Sequence, residues 1–230
     1  QSNPLPYAAD CYMGIDYTPY GYYAKGGSIR GQAAVSAYQD NNLLRVGYGE
    51  YFKYLVNAGN GGASILEKTT MFDKIPADVD FVDAYAPVGT TIYYHSGGTS
   101  NAAGSPPDYS TTTGDLSGGW TTARPSTVTW VAFAIPRLDS SSYPGANNGS
   151  PLSVTAEIGV RVKDPTAACS EKDIVNTAAF HSAFYRNAGG NLVATNQAIT
   201  TNSETTNVAV QVPSFASNWA YVSPTVASGS

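Results

Sequence analysis

Charge is what this sequence has least of. Only 13% of its 230 residues are Asp, Glu, Lys or Arg, about half the usual share. Twelve Lys and Arg against seventeen Asp and Glu leave a net charge of -5. The cationic footprint that displaces counterions from a phosphate backbone is missing, which excludes nucleic acid as a partner. No apolar run approaches the ~18 residues of a membrane-spanning helix, so no membrane span is expected. Cysteine is reduced to Cys11 and Cys169 and histidine to His95 and His181, too few and too scattered for a metal-ligand set. The sequence contains no G-x-S-x-G elbow, no H-E-x-x-H, no P-loop and no G-x-G-x-x-G. Glu50, Glu67, Glu157, Glu171 and Glu204 are dispersed along the chain, whereas a glycosidase needs two facing carboxylates. No catalytic residue is assigned, and the chain is expected to be neither an enzyme nor a cofactor carrier.

What remains is a chain that can fold. Hydrophobic residues make up 42% and aromatics 12%, too many for a disordered segment. Glycine (23) and proline (14) are abundant, and they punctuate short apolar runs. SIRGQAAVSAY (28–38), LLRVGYGEYFKYLV (43–56) and ASILEKTTM (63–71) are separated by DNN and NAGNGG, which is turn chemistry. VDFVDAY (79–85) and TTIYYH (90–95) follow. TVTWVAFAI (127–135) is a continuous apolar run of strand length and reads as a buried central strand. In LSVTAEIGVRV (152–162), Leu152, Val154, Ala156, Ile158, Val160 and Val162 alternate with small or polar residues, which places one face on a core.

Two stretches resist this reading. Residues 96–119, SGGTSNAAGSPPDYSTTTGDLSGG, are too polar for core and long for a loop, so a functional or mobile surface loop is expected. Ser170-Glu171-Lys172-Asp173 resembles a capping box, which predicts a short helical turn over 170–176. A hairpin then turns at Ala188-Gly189-Gly190, and NVAVQVP (207–213) and NWAYVSPTV (218–226) close the chain. Roughly nine to eleven strands without a periodic helix give an all-β fold, an antiparallel β-sandwich with jelly roll preferred over immunoglobulin-like. Residues 1–27 are expected to be an extended arm, and 28–230 a single sandwich domain.

The run FYRNAGGNLVATNQAI, followed by VAVQVPSFASNWAYVSPTV, resembles the closing strands of carbohydrate-binding-module-like jelly rolls. The shared pattern is an aromatic strand, a glycine turn, a Leu-Val strand, then an alternating strand ending in Pro before a Tyr-bearing strand. The resemblance covers residues 180–226 and implies a jelly roll more than it implies sugar binding, since the same fold builds virion and appendage subunits.

Four sets of residues stand out as candidate sites. Cys11 and Cys169 would pair in an oxidising compartment; closing so long a loop is valued at roughly 5 kcal/mol by chain entropy. A chain beginning at Gln1 is what signal-peptide removal leaves, so an extracellular or cell-surface location is expected. Tyr7, Tyr12, Tyr17, Tyr20, Tyr22 and Tyr23 crowd the arm without a periodic apolar face of their own, and so ask for a partner surface. Asp78, Asp80 and Asp83 lie at a loop-strand junction and form a candidate structural calcium site, against which stands the adjacent Lys74. Asn148-Gly149-Ser150 is a glycosylation acceptor if the source organism glycosylates.

Together these features favour a secreted structural subunit that polymerises with copies of itself into an extracellular filament or surface appendage by strand donation. The alternatives are a carbohydrate-binding module or lectin, with Trp120 and Tyr109 stacking on glycans, and a jelly-roll virion protein.

Overall fold

The computed structural model describes residues 11–15, 45–46, 49, 51–60, 64–140, 150–163, 172–187 and 189–208, with 11–15, 45–46, 172 and 202–208 by backbone alone. In chain order the strands are β1 (Cys11–Ile15), β2 (Arg45–Val46), β3 (Tyr51–Gly59), β4 (Ile65–Lys74), β5 (Val79–Tyr85) and β6 (Thr91–His95). The remaining strands are β7 (Trp130–Leu138), β8 (Ser153–Val162), β9 (Lys172–Arg186), β10 (Leu192–Ala194) and β11 (Thr200–Val208). Among the described residues there is no helix, and hence none long and apolar enough to cross a membrane.

The strands form two sheets. One has the order β1-β3-β8-β5; the other runs β2-β11-β9-β4-β7-β6, with β10 also paired to β9. They pack face to face over a single core, giving the expected β-sandwich. The alternation in β8 does what its sequence requires. Val154, Ala156, Ile158, Val160 and Val162 are buried, and outward-facing Glu157 pairs with Lys53 at 2.6 Å. From β3 come Phe52, Tyr54, Val56 and Ala58, and from the facing sheet Met71, Val131, Phe133, Ile174 and Phe180. Burying each large apolar side chain contributes about 1.5–3 kcal/mol. As its apolar run predicts, β7 is internal, lying between β4 and β6.

Several expectations are corrected. Residues 172–176 are not helical but open the 15-residue strand β9, because Ile174, Asn176, Ala178 and Phe180 are buried in period two. The ladder is antiparallel except for two pairs, β1 with β3 and β2 with β11, which run parallel. Within the segment read as an irregular arm, Cys11–Ile15 form a strand in register with Tyr54–Ala58. The closing alternating strand begins earlier than expected, at Thr200 rather than Asn207. The predicted hairpin does form, with Leu192 opposite Arg186. Segments 28–38, 209–213 and 218–226 lie outside the described residues.

Candidate assembly edges and a loop-capped sheet face

A sandwich has two open sides, and here they are built differently. On one side lie the edge strands β5 and β6. β5 carries a bulge at Val82, between Phe81 and Asp83. Arg124 Nη1 donates to the Val82 carbonyl at 2.6 Å, and its guanidinium lies 4.9 Å from the Phe81 ring centroid. β6 is covered by the chain that follows it: Tyr94 and Thr121 exchange backbone hydrogen bonds of 2.8 and 3.0 Å, and the Thr129 N–H reaches the His95 carbonyl at 2.9 Å. Bulges, charges and capped carbonyls keep such an edge from pairing with another chain.

The opposite side carries β1, β2 and β11. β2 pairs with β11 only at Asn207 and Val208, while β9 runs the full length of β11, from Thr200 opposite Phe180 to Val208 opposite Lys172. Among the described residues, therefore, Thr200–Thr206 have a strand on one flank alone. That is a seven-residue row of main-chain donors and acceptors, a template for an added strand.

The outer face of the larger sheet is capped by the connection between β6 and β7. Tyr109, Leu116 and Trp120 pack onto Phe72, Trp130, Ala132 and Ala179 to make a second, smaller core. This is the segment expected to be a functional or mobile loop; its few apolar side chains turn inward, while Thr99, Ser100, Thr111, Thr112, Thr113 and Ser117 are exposed. Side-chain hydrogen bonds fix it. Trp120 Nε1 donates to the Pro107 carbonyl at 2.7 Å, and Trp130 Nε1 to that of Gly98 at 3.0 Å. His181 Nε2 donates to the Gln197 carbonyl at 3.1 Å, which leaves Nδ1 to accept the Tyr109 hydroxyl at 2.6 Å. His95 Nδ1 accepts the Gly97 N–H at 2.9 Å, so Nε2 carries the proton to Asp108 at 3.2 Å.

The electrostatics follow from these contacts. Burial holds the His181 imidazole below its ordinary range and pushes the Tyr109 phenol up. The hydrogen bond from His95 holds the exposed Asp108 carboxylate low. Both nitrogens of each imidazole are engaged, so neither is placed to act as a general base. Trp120 and Tyr109, the rings singled out for stacking on sugars, spend their faces on the sheet: Phe72 meets Tyr109 edge-on at 4.7 Å and Trp120 at 6.0 Å.

The predicted site residues fare unevenly. Asp80 is exposed and lies 3.6 Å from Lys163. Asp83 accepts the Tyr51 hydroxyl at 3.2 Å, and burial together with that carboxylate raises the Tyr51 phenol. Asp78 sits before β5, where its carbonyl takes the Lys163 N–H at 3.0 Å. The three carboxylates are not brought together, and among the described residues no group of three or more His, Cys, Asp or Glu side chains could hold a metal ion. Cys11 begins β1 and Tyr12 follows it there. Cys169, Tyr7, Tyr17, Tyr20, Tyr22, Tyr23 and Asn148 lie outside the described residues. The two histidine clamps and the Arg124 cap were missed: Tyr109 and His181, and Arg124 and Val82, are far apart in sequence, and no motif marks the pairing of His95 with Asp108 within one loop.

No family model matches the sequence, and no curated protein matches it. Among solved structures, the chain is similar to BcpA, the major pilin subunit of Bacillus cereus, at 9% identity and a TM-score of 0.31, over 72% of this chain and 36% of that one. It is similar to the N-terminal domain of the Streptococcus gordonii adhesin Sgo0707 at 13% identity and a TM-score of 0.33, over 74% and 31%. It is also similar to AggA, the major subunit of aggregative adherence fimbriae type I from Escherichia coli, at 10% identity and a TM-score of 0.30, over 73% and 88%. The chain thus spans about a third of the first two of these. Likenesses this distant leave the function to the chain's own geometry.

Proposed function

We propose that this chain is a structural subunit, located at the cell surface or outside the cell, that polymerises with copies of itself into a filament or surface appendage. The observation that carries the reading is the asymmetry of the two sides: β5 and β6 are blunted, while Thr200–Thr206 of β11 offer a long edge among the described residues. A segment of one subunit added to that edge in the next makes a heterologous contact. Such a contact need not close and therefore extends into a fibre. With Tyr12 already in β1, the rest of the tyrosine-rich segment supplies a donor whose rings, Tyr7, Tyr17, Tyr20, Tyr22 and Tyr23, pack on one side and hydrogen-bond on the other. A Cys11–Cys169 disulfide would tie β1 to the chain ahead of β9 and keep the sandwich intact outside the cell.

The test is negative-stain electron microscopy of the native protein beside Asn202→Pro and Ser203→Pro, with reducing and non-reducing gels. In an antiparallel ladder neighbouring residues turn their N–H groups to opposite flanks. One of the two prolines therefore spares the β9 ladder and removes only an outward donor. Fibres from the native chain, and folded monomers from that variant, are expected. Dispersed native monomers, or undiminished fibres from the folded variant, would refute strand addition at β11.

A further inference from the structure

Asp73 and Asn176 face each other in the core, 103 residues apart in sequence, on the neighbouring strands β4 and β9. Both side chains are fully buried. Asn176 Nδ2 donates to Asp73 Oδ2 at 2.9 Å, and the other oxygen of each group, Asp73 Oδ1 and Asn176 Oδ1, is buried without a hydrogen-bond partner. Two buried acceptors without a donor, one on each member of a bonded pair, are a costly arrangement. One proton on Asp73 removes the cost. A carboxylic acid can donate from one oxygen while it accepts at the other, which matches a primary amide at both its atoms.

We propose that Asp73 and Asn176 form a protonated acid–amide pair, with the proton held between Asp73 Oδ1 and Asn176 Oδ1, which locks β4 to β9 in acidic surroundings and loosens as the medium turns neutral and then alkaline. The surroundings offer no charge to compensate an ionised carboxylate. On β7 the residue in register is Val131, and on β9 it is Ala178. Lys74, next on β4, turns to the other face, where its Nζ reaches the Asn101 carbonyl and the Trp130 ring. His181 on β9 is held by Tyr109 on that same outer face. On the facing sheet β8 and β5 present Val160, Val162 and Val79, and β3 presents Tyr54; Tyr185 of β9 and Tyr94 of β6 are the other titratable groups in this core. Burial accordingly pushes the Asp73 carboxyl up from 3.8 to about 7, against the smaller opposing effect of the Asn176 hydrogen bond.

The sign of the pH effect follows. The folded protein keeps this proton up to about pH 7, whereas the unfolded chain releases it near 3.8. The contribution is complete below 3.8 and is lost as pH rises through 7, the unfolding constant growing about tenfold per pH unit across the window. Two measurements test this. Carboxyl resonances of the native protein labelled at aspartate carbon should include one still protonated at pH 5.5 and titrating near 7; if every carboxyl titrates below pH 5, the proposal is overturned. Asp73→Asn replaces the acid by an amide that can make both hydrogen bonds without a proton. The difference in urea-unfolding stability between this variant and the native protein should change with the slope of one proton between pH 4.5 and 6.5, since every other titrating group, His181 included, is common to both, and equal slopes in the two would overturn the pair.

Discussion

Removing one oxygen atom from the capping segment should show how far that segment is part of the folded unit. The Tyr109 hydroxyl donates to His181 Nδ1 at 2.6 Å and is also bonded by the Thr70 side chain. Thr70 and His181 are 2% and 1% exposed, so water cannot replace the lost partner without opening the interface. Tyr109→Phe keeps the ring and its edge contact with Phe72, and therefore adds no cavity. What it costs is the desolvation of groups left alone, roughly 1–3 kcal/mol for each. Thr70 can turn its hydroxyl elsewhere, so the larger share falls on His181 and the expected loss is about 2 kcal/mol. Urea denaturation at pH 7.5 should show a lower midpoint at unchanged slope. Amide exchange should locate the damage: the N–H groups of Ser110 and Gly114, bonded inside the capping segment to Asp115 and Ser110, should exchange faster, while β8 amides keep their protection. A midpoint within about 0.3 kcal/mol of the native one, with unchanged exchange, would show that the hydroxyl contributes nothing and that the segment is held by apolar contact alone.

Two further outcomes follow from the same geometry. Burial lowers the folded-state affinity of His181 for a proton, so the unfolded chain protonates first as pH falls below 6.5 and stability drops there; measured in the Asp73→Asn background, where the opposite Asp73 slope is absent, the midpoint should fall between pH 6.5 and 5, and a flat profile would refute the clamp. Arg124→Ala uncovers the Val82 carbonyl on β5 with a stability change of about 0.5 kcal/mol, as for an exposed group, but should promote side-by-side association seen as concentration-dependent light scattering; a variant that scatters like the native protein would show that Arg124 does not guard that edge.

The legibility of the fold tracks how plainly each strand alternates. β8 was readable because all five of its inward residues are apolar and in phase, and β7 because a continuous apolar run needs cover on both faces, which the core and the capping segment supply. β11 was not, since Thr-Thr-Asn-Ser-Glu-Thr-Thr-Asn presents no apolar residue until Val208 and pairs through its backbone instead. β4 shows a subtler failure. Lys68 has a φ of +50° and makes no ladder pair, because the position opposite it on β7 is Pro136; the register itself is unbroken, Glu67 facing Arg137 and Thr69 facing Ile135. The inward phase nevertheless changes across this kink, since counting by twos from Leu66 points Phe72 inward and Asp73 outward. The reverse is true: Phe72 lies under the capping segment and Asp73 in the core. No pattern in the sequence announces a left-handed backbone at a lysine.

The same residue connects the two parts of the molecule that sequence reading missed. Beyond it Phe72 faces outward and supplies the apolar seat on which Tyr109 and Trp120 settle. Lys68 itself reaches across to Asp115 at 2.8 Å and to the Thr113 carbonyl at 3.0 Å, and a Cβ at Gly114 would lie 3.0 Å from the Lys68 Cβ. The capping segment thus approaches β4 at Lys68, and Gly114, at φ +70°, is the residue that permits the approach. Asp73, the residue after Phe72, alternates to the inner face and there meets Asn176. The phase of β4 beyond Lys68 therefore sets both the cover of the outer face and the polarity of the core beneath it. Deleting Lys68 should lose both features together, because a one-residue shift exchanges every side chain beyond that point between the two faces.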